Sequence, residues 1–132
     1  MLLDTDVLIW FMRGHEGAAA QLKLLPLPWQ ISAVTFIELM QGCRDKQELI
    51  RLKKGLDNYG TLILPISVEI SVCATQLIEA LALSNGMQLA DALIAATAIE
   101  HHLTLLSGNE KHFRAVSGLS LQRFDPNSRN AD

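Results

Sequence analysis

Short, largely apolar runs without polar alternation constrain the fold of this 132-residue chain more than any other feature. Four such runs, MLL, WQISAV, TLILPI and LTLLS, are each followed by a segment with helical spacing. A strand with one solvent-facing side alternates apolar and polar residues, whereas a strand covered on both faces does not. Strands of the second kind, alternating with helices, predict an α/β fold: a three-layer α/β/α sandwich around a central, mostly parallel sheet.

Turn and capping residues divide the rest of the chain into helices. Pro26 and Pro28 end a helix in AAAQLKLL, and Ser67 is a good N-cap for VEISVCATQLIEALAL, which ends at Asn85-Gly86. The segment KQELIRLKKGLDNYG is amphipathic, whereas QLADALIAATAIEHH is apolar on nearly all sides. A short helix in NEKHFRAV and a last strand in LSLQRF complete the predicted elements.

Length and composition predict one domain over residues 1–124, followed by a polar tail, DPNSRNAD, over residues 125–132. Hydrophobic residues make up 49% and charged residues 19%, which excludes a disordered chain. The mean hydropathy of +0.22 is high for a small domain. We therefore expect part of the apolar surface to lie in an oligomer or partner interface.

Cysteine usage and the distribution of charge predict a cytoplasmic protein that does not enter a membrane. Cys43 and Cys73 form no C-x-x-C pair, so reduced thiols are expected rather than a disulfide or a zinc site. No stretch of about twenty residues is free of charge, and acids stand where a signal peptide would be apolar.

The net charge of −3 is unusual for a protein that binds nucleic acid. Five cations nevertheless fall within eleven positions: Arg44, Lys46, Arg51, Lys53 and Lys54. Because Asp45, Glu48 and Asp57 interleave with them, a solvated helix face is one interpretation. A surface that contacts phosphates is the other.

Acidic residues follow the predicted strands or begin the helices after them. Asp4 directly follows the first strand, with Asp6 two positions later, and helix capping accounts for this pair as well as a functional site does. Glu38 stands three residues after Thr35, which fits a capping box. Asp91 is different, because it lies in an apolar segment with no Lys or Arg nearby in sequence, and a buried carboxylate needs a partner or a cation.

Polar residues also follow the LTLLS strand. Asn109 is a candidate helix N-cap with His112 exposed, or else it belongs with the acids. Asp4, Glu38, Asp91 and Asn109 would then meet beyond the carboxyl ends of the strands, where α/β folds bind ligands. Crowded carboxylates repel one another unless a divalent cation neutralises them, and oxygen ligands favour Mg²⁺ or Mn²⁺. Such a metal is suited to phosphoester chemistry.

The segments LLDTDVLI, ISAVTFIELMQG, QLADALIAATA and LTLLSGNEKHF, in this order, resemble a PIN domain from Leu2 to about Phe124. The likeness is greatest to the VapC-type toxins of bacterial toxin–antitoxin pairs. It implies an Mg²⁺- or Mn²⁺-dependent endoribonuclease that hydrolyses RNA phosphodiester bonds. It also implies a homodimer and a cognate antitoxin that inhibits the enzyme and through which alone the complex contacts DNA.

The resemblance assigns the site residue by residue. Asp4 and Asp91 would ligate the metal, and Glu38 would position or deprotonate the attacking water. Asn109 joins them as a catalytic candidate, although many relatives have an aspartate in this segment, so a firm second metal site is not expected. Asp6 lies where relatives often have Asn or Ser, which makes its role secondary.

Two alternatives remain at the level of sequence. One is the same fold acting as a non-catalytic or weakly active module that binds a partner, which the missing fourth aspartate favours. The other is a haloacid-dehalogenase-type phosphatase, because LLDTDVL has the D-x-D pattern that ends the first strand of those enzymes. The segment SGNEKHF lacks the acidic pair that a phosphatase of that type needs.

Overall fold

The structure, a computed structural model, describes residues 1–127 as five short strands that alternate with seven helices. The strands are β1 (Leu2–Leu3), β2 (Gln30–Ser32), β3 (Leu62–Leu64), β4 (Leu105–Ser107) and β5 (Leu121–Arg123). The helices are α1 (Thr5–Met12), α2 (Glu16–Lys23), α3 (Ala33–Gln41), α4 (Lys46–Asn58), α5 (Val68–Asn85), α6 (Leu89–Glu100) and α7 (Glu110–Phe113). No helix among these residues is long and apolar enough to cross a membrane.

All strand pairs in the sheet are parallel, and their order is β3-β2-β1-β4-β5. The central strand is β1, in which Leu2 aligns with Gln30 of β2 on one side and with Leu105 of β4 on the other. Because every strand runs the same way, all carboxyl ends meet at one edge of the sheet. The predicted α/β fold with a parallel sheet is confirmed.

Two apolar cores cover the two faces of the sheet, which is why its strands lack polar alternation. Leu2 points into a core formed with α5 and α6, and its neighbour Leu3 points into a core formed with α1, α2 and α4. Both side chains are fully buried. The helices therefore form the outer layers of a three-layer sandwich.

The structure corrects two predictions. The run TLILPI was expected to be a buried strand, but β3 is an edge strand whose Leu62 and Ile63 side chains are exposed, because no further strand of the described chain covers it. The strand predicted in WQISAV ends at Ser32, which caps α3 by accepting a hydrogen bond from the Val34 N–H group. Thr35 consequently lies inside α3, so the capping box expected with Glu38 does not form.

The segment after β5 crosses the beginning of α2. The Gln21 side chain donates a 2.6 Å hydrogen bond to the Asp125 carbonyl oxygen. A Cβ atom at Gly17 would overlap the Pro126 carbonyl oxygen, so only glycine allows this close approach. Of the predicted polar tail, residues 128–132 lie outside the described residues.

Candidate active site

Asp4 lies where the central strand ends, and its carboxylate is almost completely buried, with 4% exposed. Its Oδ1 accepts a hydrogen bond from the Thr5 N–H group at 2.8 Å, so Asp4 also caps α1. Its Oδ2 accepts a hydrogen bond from the hydroxyl of Ser107, the last residue of β4, at 2.7 Å. Capping of α1, one of the two interpretations that the sequence offered for Asp4, is therefore present, and it leaves Oδ2 free to contact β4.

Asp6 lies beside Asp4, close enough for each carboxyl group to affect the pKa of the other. The Gly108 N–H group donates a 2.9 Å hydrogen bond to Asp6 Oδ2. Burial, followed by the charge of Asp6, raises the pKa of Asp4 to about 7. Burial also raises the pKa of Asp6. The resemblance implied a secondary role for Asp6, and in the structure Asp6 is the acid whose charge acts on the pKa of Asp4.

Glu38 is held by the junction between β1 and α1. The Thr5 hydroxyl donates a 2.7 Å hydrogen bond to Glu38 Oε1 and lies 3.0 Å from Thr35 Oγ1. Because Thr5 stands between Asp4 and Asp6 in the chain, this contact brings α3 and Glu38 to the edge of the sheet where those acids lie.

Asp91 lies in the first turn of α6, with 17% of its side chain exposed. Its partner is His112, whose Nδ1 lies 3.4 Å from Asp91 Oδ2. His112 was expected to be merely exposed if Asn109 capped its helix. The partner is 21 positions away in the chain and is neither Lys nor Arg, so the sequence did not reveal it.

Asn109 precedes α7, and its exposed side chain makes no capping hydrogen bond. Its backbone N–H group donates to Ser107 Oγ at 2.9 Å, and the same hydroxyl donates to Asp4. The hydroxyl of Ser107 therefore links the segment carrying Asn109 to Asp4. Within residues 1–127, no three His, Cys, Asp or Glu side chains come close enough together to enclose a metal ion.

Side chains at the strand ends that sequence reasoning did not select prove to organise the acids. The Thr5 hydroxyl holds Glu38 and lies against the Thr35 hydroxyl, and Ser107 holds Asp4. Thr35 and Ser107 are completely buried polar residues. Only their positions in the sequence could have indicated this role, since Ser107 ends the strand next to β1 and Thr5 stands between two acids.

The chemistry of the carboxyl pair fits a divalent cation. Asp6 Oδ1 is buried, and no N–H or O–H group of the described residues donates to it. Among the described residues, no Lys or Arg forms an ion pair with Asp4 or Asp6, so ionising both of these adjacent carboxyl groups is costly in a buried site. Mg²⁺ is commonly held by one or two carboxylates together with waters and substrate phosphates, so a cluster of three acids is not required.

A groove of about 890 Å³ runs beside Glu38, between α1, α3 and α4. Apolar residues form much of its surface, namely Ile9, Phe11, Met12, Leu39, Cys43 and Leu52. Arg13, Arg44 and Arg51 also line it. Arg44 is engaged by Glu48 at 2.7 Å, so Arg13 and Arg51 supply its unpaired cationic groups among the lining residues.

The sequence matches the PIN domain family over residues 1–119, and the chain belongs to this family. A chain of a toxin–antitoxin complex from Klebsiella pneumoniae is 30% identical, with 95% of this chain and 96% of that chain covered and a TM-score of 0.77. A chain of VapBC2 from Rickettsia felis, bound to a promoter DNA fragment, is 25% identical, with coverages of 94% and 98% and a TM-score of 0.80.

FitAcB from Neisseria gonorrhoeae contains a chain that is 28% identical, with coverages of 95% and 96% and a TM-score of 0.69. No curated protein sequence is significantly similar to this chain. The resemblance to a PIN domain is confirmed, and the phosphatase alternative is thereby removed.

Proposed function

We propose that this chain is the toxin of a toxin–antitoxin pair and acts as a metal-dependent endoribonuclease. The observation that carries the proposal is the buried pair of Asp4 and Asp6 at the carboxyl end of the central strand, in a chain of the PIN family. Structurally similar chains come from complexes whose names describe toxin–antitoxin systems, which supports a cognate antitoxin as the partner.

The side chains have distinct roles in the proposed reaction. Asp4 and Asp91 would hold Mg²⁺ or Mn²⁺, with Asp6 completing the negative charge around Asp4. The cation supplies Lewis-acid activation of water and of the phosphodiester. Glu38, fixed by the Thr5 hydroxyl, orients the attacking water and accepts its proton. In-line attack on phosphorus then leaves a 5′-phosphate and a 3′-hydroxyl.

Asn109 has a supporting role in this proposal. Its amide can hold a water or contact the RNA, but it brings no charge to the site. A single tightly held cation is therefore expected. The Ser107 hydroxyl keeps the segment carrying Asn109 next to Asp4.

The antitoxin would occupy the groove beside Glu38. An apolar surface with Arg13 and Arg51 on it suits an amphipathic segment whose polar side is acidic. A segment bound there would cover Glu38, which lines the same groove, and so would block the site. Contact with DNA would be made by the antitoxin and not by this chain.

The decisive experiment is cleavage of total cellular RNA by the purified chain with Mg²⁺ or Mn²⁺, with chelator, and with the Asp91→Asn variant. Discrete fragments that require both the metal and Asp91, with 5′-phosphate ends, are expected. Cleavage that continues in chelator or in the variant would contradict the proposed mechanism.

A partner-binding module without activity is the second candidate, and one observation favours it: no three acids converge among the described residues. Thermal melting separates the two. If Mn²⁺ raises the melting temperature of the wild-type chain and not that of Asp91→Asn, a metal site exists. Equal melting temperatures with and without metal would favour the module.

A further inference from the structure

The two residues at the carboxyl end of β4 each donate a hydrogen bond to one of the buried acids. The Ser107 hydroxyl donates to Asp4 Oδ2 at 2.7 Å. The Gly108 N–H group donates to Asp6 Oδ2 at 2.9 Å. On the side of β4 away from β1, the Phe124 N–H group donates a 2.8 Å hydrogen bond to the Ser107 carbonyl oxygen. The residue that follows β5 therefore holds the turn that carries both donors.

The strand β5 gives this hydrogen bond little support. It is an edge strand of three residues, and it pairs with β4 alone. The side chains of Gln122 and Arg123 are exposed. Short, exposed parts of a fold open locally at little cost in free energy. The contact between Phe124 and Ser107 therefore requires support from outside the sheet.

That support comes from α2. Residues 124–127, which we call the strap, cross the first two turns of this helix. The Gln21 side chain donates to the Asp125 carbonyl oxygen at 2.6 Å. The Pro126 carbonyl oxygen lies against Gly17, where a Cβ atom would overlap it. Two consecutive residues of the strap are thus bound to α2 through their backbone.

The position of α2 is itself fixed by the core. The Ala18 and Leu22 side chains are fully buried in the core formed with α1, α2 and α4, to which Phe124 of the strap also belongs. His15, the N-cap of α2, accepts a hydrogen bond from the Ala18 N–H group at Nδ1. The Nε2 atom of the same ring lies 3.3 Å from Asn127 Oδ1. The strap is therefore bound to a part of the fold that cannot move easily.

We propose that the strap is a positioning element of the acid site. Bound to α2, it keeps the end of β4 in the place from which its two donors reach Asp4 and Asp6. Gly17 and Gln21 act through β4 and are positioning residues. The inference rests on the proposed function for its effect on cleavage. Its effect on the acids requires neither metal nor RNA.

Hydrogen exchange of the metal-free protein, followed by NMR in chelator, tests this positioning. The Gly108 amide is informative, because the residue is exposed and its N–H group is protected by the hydrogen bond to Asp6. Gln21→Glu keeps the shape of the side chain but replaces the N–H donor with a carboxylate. We expect exchange at Gly108 and Phe124 to be about tenfold faster than in wild type, with unchanged rates in α6.

Gln47→Glu is the matched control, since it makes the same change at an exposed position of α4. Gly17→Ala is a second variant, because its Cβ atom must displace the Pro126 carbonyl oxygen. Its control is Gly55→Ala, where the new Cβ atom meets no other atom within 4 Å. Both control proteins should show the wild-type exchange rate at Gly108.

Cleavage kinetics separate a positioning role from a purely structural one. Gln21→Glu and Gly17→Ala should lower kcat by about tenfold and leave KM for RNA unchanged. The proposal is overturned if exchange at Gly108 does not change, if all amides exchange faster alike, or if kcat is unchanged in variants whose Gly108 amide exchanges faster. If the wild-type chain cleaves no RNA, the proposed function fails, whereas exchange at Gly108 still decides whether the strap positions Asp6.

Discussion

At the scale of single residues, the contacts of Asp4 have opposing effects on the protonation of its carboxyl group. It caps α1, accepts the Ser107 hydroxyl and faces Asp6, all while it is almost fully buried. The two hydrogen bonds favour its ionised form, but burial and the neighbouring acid favour the protonated form and prevail. The divalent cation that we propose would relieve this conflict by favouring the ionised form of both carboxyl groups.

The first prediction concerns the stability of the metal-free protein as a function of pH. The pKa of Asp4 is about 7 in the folded chain, above its ordinary value of 3.8, so the folded state holds a proton that the unfolded state has released. The contribution of Asp4 to the free energy of unfolding is fully present below about pH 4 and is lost as the pH rises through about 7. The free energy of unfolding should therefore fall between about pH 4 and pH 7. Asp4→Asn should lose most of this pH dependence and be more stable than wild type above pH 7.

Urea denaturation in chelator at a series of pH values measures this effect. A smaller slope of the same sign should persist in Asp4→Asn, because burial also raises the pKa of Asp6. Equal slopes for the two proteins would contradict the assignment of the titrating group to Asp4.

At the scale of elements, the turn after β4 fixes the position of the second acid. A Cβ atom on Gly108 would lie 2.6 Å from Asp6 Oδ2 and 3.2 Å from the Phe124 carbonyl oxygen. Gly108→Ala must therefore displace the Asp6 carboxylate. We expect a loss of cleavage activity of about a hundredfold, with a loss of stability of about 1–3 kcal/mol.

A matched control exists in α4, where a Cβ on Gly55 would meet no atom within 4 Å. Gly55→Ala should stabilise the fold by roughly 0.5–1 kcal/mol and leave cleavage unchanged. If Gly108→Ala cleaves RNA as fast as this control, the position of Asp6 has no importance for the reaction.

A further prediction at the level of elements concerns the exposed lysines of α4 and their contact with RNA. If Lys53 and Lys54 contact phosphates, Lys53→Gln/Lys54→Gln should weaken RNA binding and reduce the slope of log K against log salt by about 0.7 per lysine on single strands. The effect of Mn²⁺ on the melting temperature should not change. Lys23→Gln, a substitution on α2, serves as the control. An unchanged salt dependence in the double variant would mean that these lysines lie on a solvated helix face and do not contact RNA.

Elements were predictable where a local pattern decides them. Apolar runs identified β1, β2 and β4, and the amphipathic spacing of KQELIRLKKGLDNYG identified α4, whose Leu52 and Leu56 are buried. The exposure of β3 was not predictable, because an apolar run is the same at the centre and at the edge of a sheet. Contacts such as Thr5–Glu38 and Asp91–His112 join distant segments, so only the assembled fold reveals them.

At the scale of the whole molecule, the two cores meet at β1 through adjacent residues, Leu2 and Leu3. We expect Leu2→Ala and Leu3→Ala each to cost about 2–5 kcal/mol and to lower a single common unfolding transition. The fluorescence of Trp10 and Trp29, which both pack in the Leu3 core, and far-ultraviolet circular dichroism at one protein concentration provide the measurement. Separate transitions for the two signals would mean that the cores unfold independently.

The strand order also has a consequence for the time at which the site comes into being. Asp4 directly follows β1, which lies between β2 and β4 in the sheet, and its hydroxyl partner Ser107 is synthesised 103 residues later. A nascent chain therefore cannot assemble the site until residue 107 has emerged. If the proposed ribonuclease activity depends on this site, it is not expected to arise before β4 has been synthesised and has paired with β1, so RNA met earlier during synthesis would be spared.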